Sequence, residues 1–288
     1  MKKIVILALI GLMAQLIDGS LGMAYGVTST TLLLMAGMSP AIASASVHLS
    51  EVVTSAVSGY SHFKFGNVDL NIVKKLVIPG AVGAFIGAAL LSSIPASLVK
   101  PYISVFLLGL GVYVVIRFLF MNLSVGGENE KKQEKKRLFY RPLAFAAGFL
   151  DASGGGGWGP LTTPILLTQR HLSPSKVIGS VNFSEFAVSL SASVAFFLFI
   201  GWEALYWQIV LTMMVGGIIA APFAALLVKK LKPAVLGVLA GGLIVLTNLK
   251  TIAQEFFSVS LFTEVRFLLP LLAVWALMLV LAIRKKTQ

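Results

Sequence analysis

The chain has 288 residues, 57% of them hydrophobic and 12% charged, with a mean hydropathy of +0.92 and a net charge of +12. A water-soluble domain carries about 25% charged residues, so a soluble fold is excluded. Apolar runs longer than the ~20 residues that span ~30 Å of hydrocarbon as a helix exclude a β-barrel built from alternating segments of about 10 residues.

Zero cysteines and three histidines leave no thiolate zinc, iron-sulfur, paired-histidine haem or disulfide framework, so neither a cofactor nor a metal is expected. The basic residues gather at the ends of apolar runs and in one short linker rather than along a soluble face. That distribution points to membrane orientation and away from nucleic acid.

In chain order, Lys2, Lys3 and the apolar run from Ile4 to Ile17 imitate a secretory signal. The same stretch has an internal counterpart from Pro142 to Leu150, where no signal can lie, so it reads as part of the fold. The first apolar stretches, 4–17 and 23–37, flank DGSLG; their counterparts, 142–150 and 158–169, flank DASGGGG. At 1.5 Å per residue such legs fall short of crossing comfortably, and they are expected to form re-entrant helical hairpins with glycine-rich tips inside the membrane. Segments 41–62, 76–94, 101–121, 175–200, 205–228, 233–249 and 266–283 are expected to cross once each.

The chain contains a repeat. Pro40, Ser46, Ser50 and Glu51 recur as Pro174, Ser180, Ser184 and Glu185, and Asp18, Ser20, Gly22 and Gly26 recur one residue out of that register as Asp151, Ser153, Gly155 and Gly159. The expected divisions are a first transmembrane repeat at 1–121, a charged cytoplasmic linker at 122–141, a second repeat at 142–250 and an additional C-terminal transmembrane helix within 251–288. With hairpins that enter and leave on one face, all Lys and Arg except Lys2, Lys3, Lys100, Lys250 and Arg266 fall on the linker side, a stronger bias than a parallel-repeat arrangement gives. The linker and the C-terminus are therefore expected in the cytoplasm and the chain in the cell inner membrane. The expected fold is an all-α polytopic membrane protein of two inverted repeats, each a re-entrant broken-helix hairpin plus three transmembrane helices. Such repeats build transport sites near the midplane in many secondary transporters.

At each tip a helix restarts after glycine, at Gly22 and near Gly157, presenting unpaired N-H groups and a positive dipole end that bind anions. Candidate substrate-binding residues are Ser20, Gly22, Gly26, Thr28, Ser153, Gly154, Gly155, Gly156, Gly157, Gly159, Thr162 and Asn182, with Thr163 beside them. The competing reading is that these glycines permit tight helix packing. The helix after the first hairpin carries Ser44, His48, Glu51, Ser55, Ser58 and His62 on one face, and its copy carries Ser180, Asn182, Ser184, Glu185 and Ser189. Glu51 and Glu185 are costly when ionised in a spanning segment, which makes each either a proton carrier or a neutral hydrogen-bonding acid. Asp18 and Asp151 are placed to cap the restarting helices. With His48 these four acids form the coupling or gating set, and if the aspartates are ionised and point inward the substrate is instead a cation. Trp158, Trp202 and Trp207 read as packing or interfacial residues, and Arg170 and His171 as a cytoplasmic turn.

DASGGGGWGPLTTP followed by SPSKVIGSVNFSEF resembles the sulfite exporter TauE/SafE family of membrane transporters, and DGSLGMAYG with SPAIASASVHLSE looks like its degenerate first-half copy. The resemblance covers about residues 5–250. It implies movement of a small sulfur-containing anion, such as sulfite or an organosulfonate, driven by an ion gradient. The implied site lies around Gly154 to Gly159, Asn182 and Glu185, opposite Asp18 to Gly26, His48 and Glu51. His48 stands where the second half has Asn182, which puts a symmetric site in doubt.

No Walker-type loop and no nucleophile-base or metal-ligand set stands out, so neither an ATP motor nor an enzyme is expected. A cation transporter, and behind it a membrane enzyme or assembly factor, are the alternatives. Expected partners are a small anion, the bilayer and a second copy of the chain in a homodimer.

Overall fold

The computed structural model describes residues 2–120, 139–167, 173–227, 233–257 and 265–284, and every regular element among them is helical. The elements are α1 (Lys2–Leu21), α2 (Tyr25–Met35), α3 (Pro40–Lys64), α4 (Leu70–Ser93), α5 (Ala96–Phe120), α6 (Tyr140–Gly154), α7 (Trp158–Leu167), α8 (Pro174–Phe199), a 3-10 turn at Trp202–Ala204, α9 (Trp207–Leu227), α10 (Pro233–Phe257) and α11 (Val265–Arg284). Most of the charged linker, together with Arg170 and His171, lies outside the described residues.

Six of these helices are long and apolar enough to cross a membrane: α1, α4, α5, α8, α9 and α10. At 25 residues α3 is long enough as well, but its polar stripe lowers its hydropathy. Hydroxyls along the helices donate back to the carbonyl one turn earlier, as Ser61 does to Val57, Ser92 to Ala88 and Thr247 to Leu243. Each such bond removes a polar group from contact with lipid.

Proline sets the starts of the two polar helices, with a side-chain cap from Ser173 at the second. α3 and α8 both begin with proline at the first turn, where its missing N-H costs nothing, after Ser39 and Ser173. α4 starts at Leu70, six residues before the expected 76, because Asp69 accepts from the Asn71 amide and carries the helix through Lys74 and Lys75. α10 continues past the expected 249 because Asn248 and Thr251 turn their polar atoms back onto Ile244 and Thr247 instead of ending the helix.

Helix direction follows from which ends meet. Gly11 and Gly19 of α1 lie against Met213 and Ala224 of α9, so these helices run parallel. α3 also runs parallel to α9, with Thr54 at Gly217 and Asn67, just past its end, donating to the Ala225 carbonyl. α1 and α3 therefore point the same way, and α2 has to bring the chain back between them. For the second half, Phe145 and Phe149 of α6 meet Gly83 and Gly87 of α4, while Ser180 and Ser191 of α8 meet Asp69 and Ala81. α6 and α8 thus also point one way, and α7 returns.

Counterpart helices from the two halves pack antiparallel. His48 faces Phe196 while Gly59 meets Phe183, across α3 and α8. Gly111 meets Ile244 while Gly237 meets Phe118, across α5 and α10. α1 packs on α9, and α6 on α4.

With no native cysteine in the chain, this register is open to disulfide trapping. A Cβ at Gly59 would lie 3.0 Å from the Phe183 Cα, so the two helices are in backbone contact at this level. Gly59→Cys with Phe183→Cys should keep the halves joined on a non-reducing gel after cleavage of an engineered protease site in the linker, and His48→Cys with Phe183→Cys should not.

Candidate functional site

The two interruptions, at 22–24 and 155–157, meet each other at the centre of the helix assembly. Each opening helix runs further than its apolar leg: α1 continues through Asp18, Gly19 and Ser20 to Leu21, and α6 through Asp151 to Gly154. Both aspartates thus stand in the last helical turn rather than in the connecting loop. At 20 residues α1 reaches ~30 Å and is long enough to cross by itself, a correction to the short leg expected at 4–17. Helix continues through Gly19 and Ser20 because Ser20 donates to the Leu16 carbonyl and the Gly19 carbonyl accepts from His62 Nε2 at 2.9 Å.

The chain then breaks in the left-handed region, at Gly22 with φ 69° and at Gly155 with φ 73°. Ala24 has φ 97°, the one non-glycine with positive φ among the described residues, and it precedes the first turn of α2. The aspartates reach across the breaks to the restarting helices. Asp151 Oδ1 accepts from Gly157 N at 2.7 Å and Trp158 N at 3.0 Å, and Asp18 Oδ1 accepts from Tyr25 N at 3.4 Å. Each carboxylate thereby satisfies amide donors that would otherwise face a low-dielectric interior.

The glycines let the tips interlock. A side chain at Gly156 would strike Val27, one at Gly159 would strike Met23 and the Gly22 carbonyl, and one at Gly155 would strike Thr30. Gly26 lies against Gly155 and Gly156, and Thr163 donates its hydroxyl to the Gly22 carbonyl. Close packing therefore accounts for much of the glycine run. Gly26 and Val27 stand in the first turn of α2 and Gly159 in the first turn of α7, where main-chain N-H groups precede the regular helical ladder.

The candidate hydroxyls divide into two groups. Ser20, Ser153 and Thr162 donate to Leu16, Phe149 and Trp158 within their own helices, so they do not point into the tip. Thr28 is buried with its Oγ1 unpartnered, as are its neighbours Ser29 and Thr30. Gly154 packs against the Phe106 ring, outside the tip contact.

All four acids are buried around the interlock: Asp18, Glu51, Asp151 and Glu185 are 2%, 3%, 4% and 6% exposed. Asp18 and Glu185 meet, and Glu51 Oε1 lies beside Gly26. His48, fully buried, is the one basic side chain within ion-pair reach of them among the described residues, with Nε2 3.2 Å from Asp151 Oδ2 and 4.0 Å from Glu51 Oε2. Donor atoms of His48, Glu51 and Asp151 fit within 4.8 Å of one another, close enough to surround one small cation. Asn182, at the position equivalent to His48, donates from Nδ2 to the Ile178 carbonyl at 3.2 Å and accepts from Ser58 at 2.9 Å.

Several residues of this centre are absent from the sequence reading. Tyr25 shares a hydrogen bond with Ser50 at 3.0 Å, and Gln15 and Thr54 are buried nearby with unpartnered polar atoms. The available signal was Gln15 one turn before Asp18 in an otherwise apolar run. Trp158 is fully buried, donating Nε1 to the Val181 carbonyl, whereas Trp202 is 62% exposed and stacks with Phe197 and Trp207.

Residues 7–251 match the family model described as sulfite exporter TauE/SafE. A protein of Bacillus subtilis (strain 168) named probable membrane transporter protein YtnM is 58% identical over 255 residues, covering 88% of this chain and 84% of that protein. A second from the same organism, probable membrane transporter protein YdhB, is 28% identical over 199 residues, covering 65% of this chain and 78% of that protein. No solved structure matches.

Removing the better cap should cost more. Asp151→Ala strands two buried amides and is expected to lower stability by about 1–2 kcal/mol, while Asp18→Ala, which loses one long contact, costs less. Unfolding of the two variants in detergent, followed side by side, checks the order.

Proposed function

The chain belongs to the sulfite exporter TauE/SafE family, and on that premise we propose that it is a secondary transporter that exports a small sulfur-containing anion, such as sulfite or an organosulfonate, together with protons. The observation that carries this reading is the buried set of four carboxyls and one histidine lying where the two broken-helix tips interlock. An anion cannot enter beside ionised carboxylates. Once those groups bind protons, the N-terminal ends of α2 and α7 and the buried, unpartnered hydroxyls of Thr28, Ser29 and Thr30 become the dominant electrostatic features, and they favour an anion. Proton binding is then a condition for substrate binding, which is what coupling requires.

The antiparallel packing of α3 on α8 and of α5 on α10 supports reading the halves, 1–121 and 142–250, as repeats inverted across the bilayer. The linker at 122–141 and the C-terminus then lie on the cytoplasmic face of a multi-pass protein of the cell membrane, the helix within 251–288 being an addition to the repeats. Rocking of one half against the other would open the interlocked tips to each face in turn. Asp18, His48, Glu51, Asp151 and Glu185 are the coupling groups in this scheme. The family and the relatives' names indicate a transporter rather than an enzyme. A cation carrier is the second reading, favoured by the same four acids if they work ionised.

Proteoliposomes loaded with labelled sulfite separate the two readings. Efflux that accelerates when a proton gradient is imposed supports the first; indifference to sulfite and to organosulfonates, with movement of a cation, overturns it. Gly156→Val, whose side chain would drive into Val27 and part the tips, should insert in the membrane and lose transport.

A further inference from the structure

His48 and Asn182 occupy equivalent places in the two repeats, but only one of them can gain or lose a proton. His48 Nδ1 lies 2.8 Å from the Ser44 carbonyl oxygen. A carbonyl only accepts, so Nδ1 carries the hydrogen and Nε2 is the nitrogen left to titrate. That Nε2 faces Asp151 Oδ2 at 3.2 Å. In a neutral imidazole beside a carboxylate this contact would set lone pair against lone pair. It is attractive only with a proton on the line between the two atoms. Asp151 Oδ1 is already engaged by the Gly157 and Trp158 amides, so Oδ2 is its free oxygen. A third atom converges on the same place, Glu51 Oε2, which is buried and without a partner.

Groups from three helices reach His48 directly. α3 contributes Ser44 and Glu51, α6 contributes Asp151, and α8 contributes the uncharged Phe196 ring at 5.9 Å. Asp18 of α1 and Glu185 of α8 are the remaining acids of the cluster and act on Glu51 rather than directly on His48. At the equivalent place in the other half, Asn182 is tied to Ile178, the Asp18 carbonyl and Ser58 by bonds that need no titratable group.

We propose that the transported proton is held between His48 Nε2 and Asp151 Oδ2, that one proton is carried per cycle, and that its departure frees the α6–α7 tip from α3. This assignment rests on the proton-coupled reading above and narrows it, since it puts coupling in one repeat alone. The step balances simply: the proton leaves the shared axis for water on the open side, His48 keeps its Nδ1 hydrogen, and the Asp151 carboxylate loses its cationic partner. Attraction across the interface becomes repulsion, and the tip separates.

Nitrogen-15 histidine spectra of the purified protein in lipid nanodiscs test the assignment, with only three histidines to distinguish. The His48 signal is identified as the one missing from His48→Asn or from His48→Gln, whichever is folded. The expected ring at neutral pH has Nε2 protonated or sharing a strong hydrogen bond; a bare Nε2 overturns the proposal, whether or not the protein moves sulfite. In vesicles, a gradient of one pH unit should drive about tenfold sulfite accumulation through the wild type, as one proton per anion allows. Flux through the His48 variant should ignore the gradient, whatever its rate. Tenfold accumulation retained in that variant also overturns the assignment. Absence of any sulfite movement in the wild type sinks the transport reading and leaves the spectrum to decide the proton's position.

Discussion

Inside a membrane a peptide group that leaves a helix has to find a partner within the protein, since no water stands ready and each unmet group costs several kcal/mol. Two stretches of this chain leave the helix near its centre, and the structure is arranged around meeting that demand. An aspartate in the last turn before each break supplies oxygen to the amides after it, and the opposing tip shields the rest. The polar faces of α3 and α8 cross over this point and are buried for the same reason. A carboxylate that satisfies main-chain donors in a dry interior is also an ionisable group there, so the device that makes the breaks tolerable also equips them to respond to protons and ions.

The two halves meet the demand unequally. The second tip uses a run of four glycines and a doubly engaged Asp151, whereas the first has Gly22, Ala24 and the longer, single contact of Asp18. His48 and Asn182 repeat the inequality one layer out, the first tied to a carboxylate and the second to carbonyls and a hydroxyl. The two breaks are thus alike in backbone and unlike in the side chains that answer them.

Much of the fold was legible from periodicity and offset alone. The recurrence of Pro40, Ser50 and Glu51 as Pro174, Ser184 and Glu185 marks the starts and buried faces of α3 and α8, and the stripe from Ser44 to His62 is buried as its spacing implied. Less legible was the end of each opening helix. Asp, Gly and Ser in series read as a loop, yet tertiary partners hold them helical: Gly19 gives its carbonyl to His62 and its bare Cα to Ala224. The interlocking of the tips, and with it the spending of glycines on contact rather than on open amides, depends on residues 130 positions apart, such as Gly26 and Gly156. No local pattern encodes that, and the roles of Tyr25, Gln15 and Thr54 were hidden for the same reason.

Ala24 sets the two hinges apart mechanically. An alanine held at φ 97° carries strain of order 1–3 kcal/mol that a glycine would not, and the surrounding contacts pin it there. Gly155 takes φ 73° without that cost, so the two breaks differ in what holding them requires. One break is thus held by its surroundings against a local backbone preference, and the other is held in keeping with one.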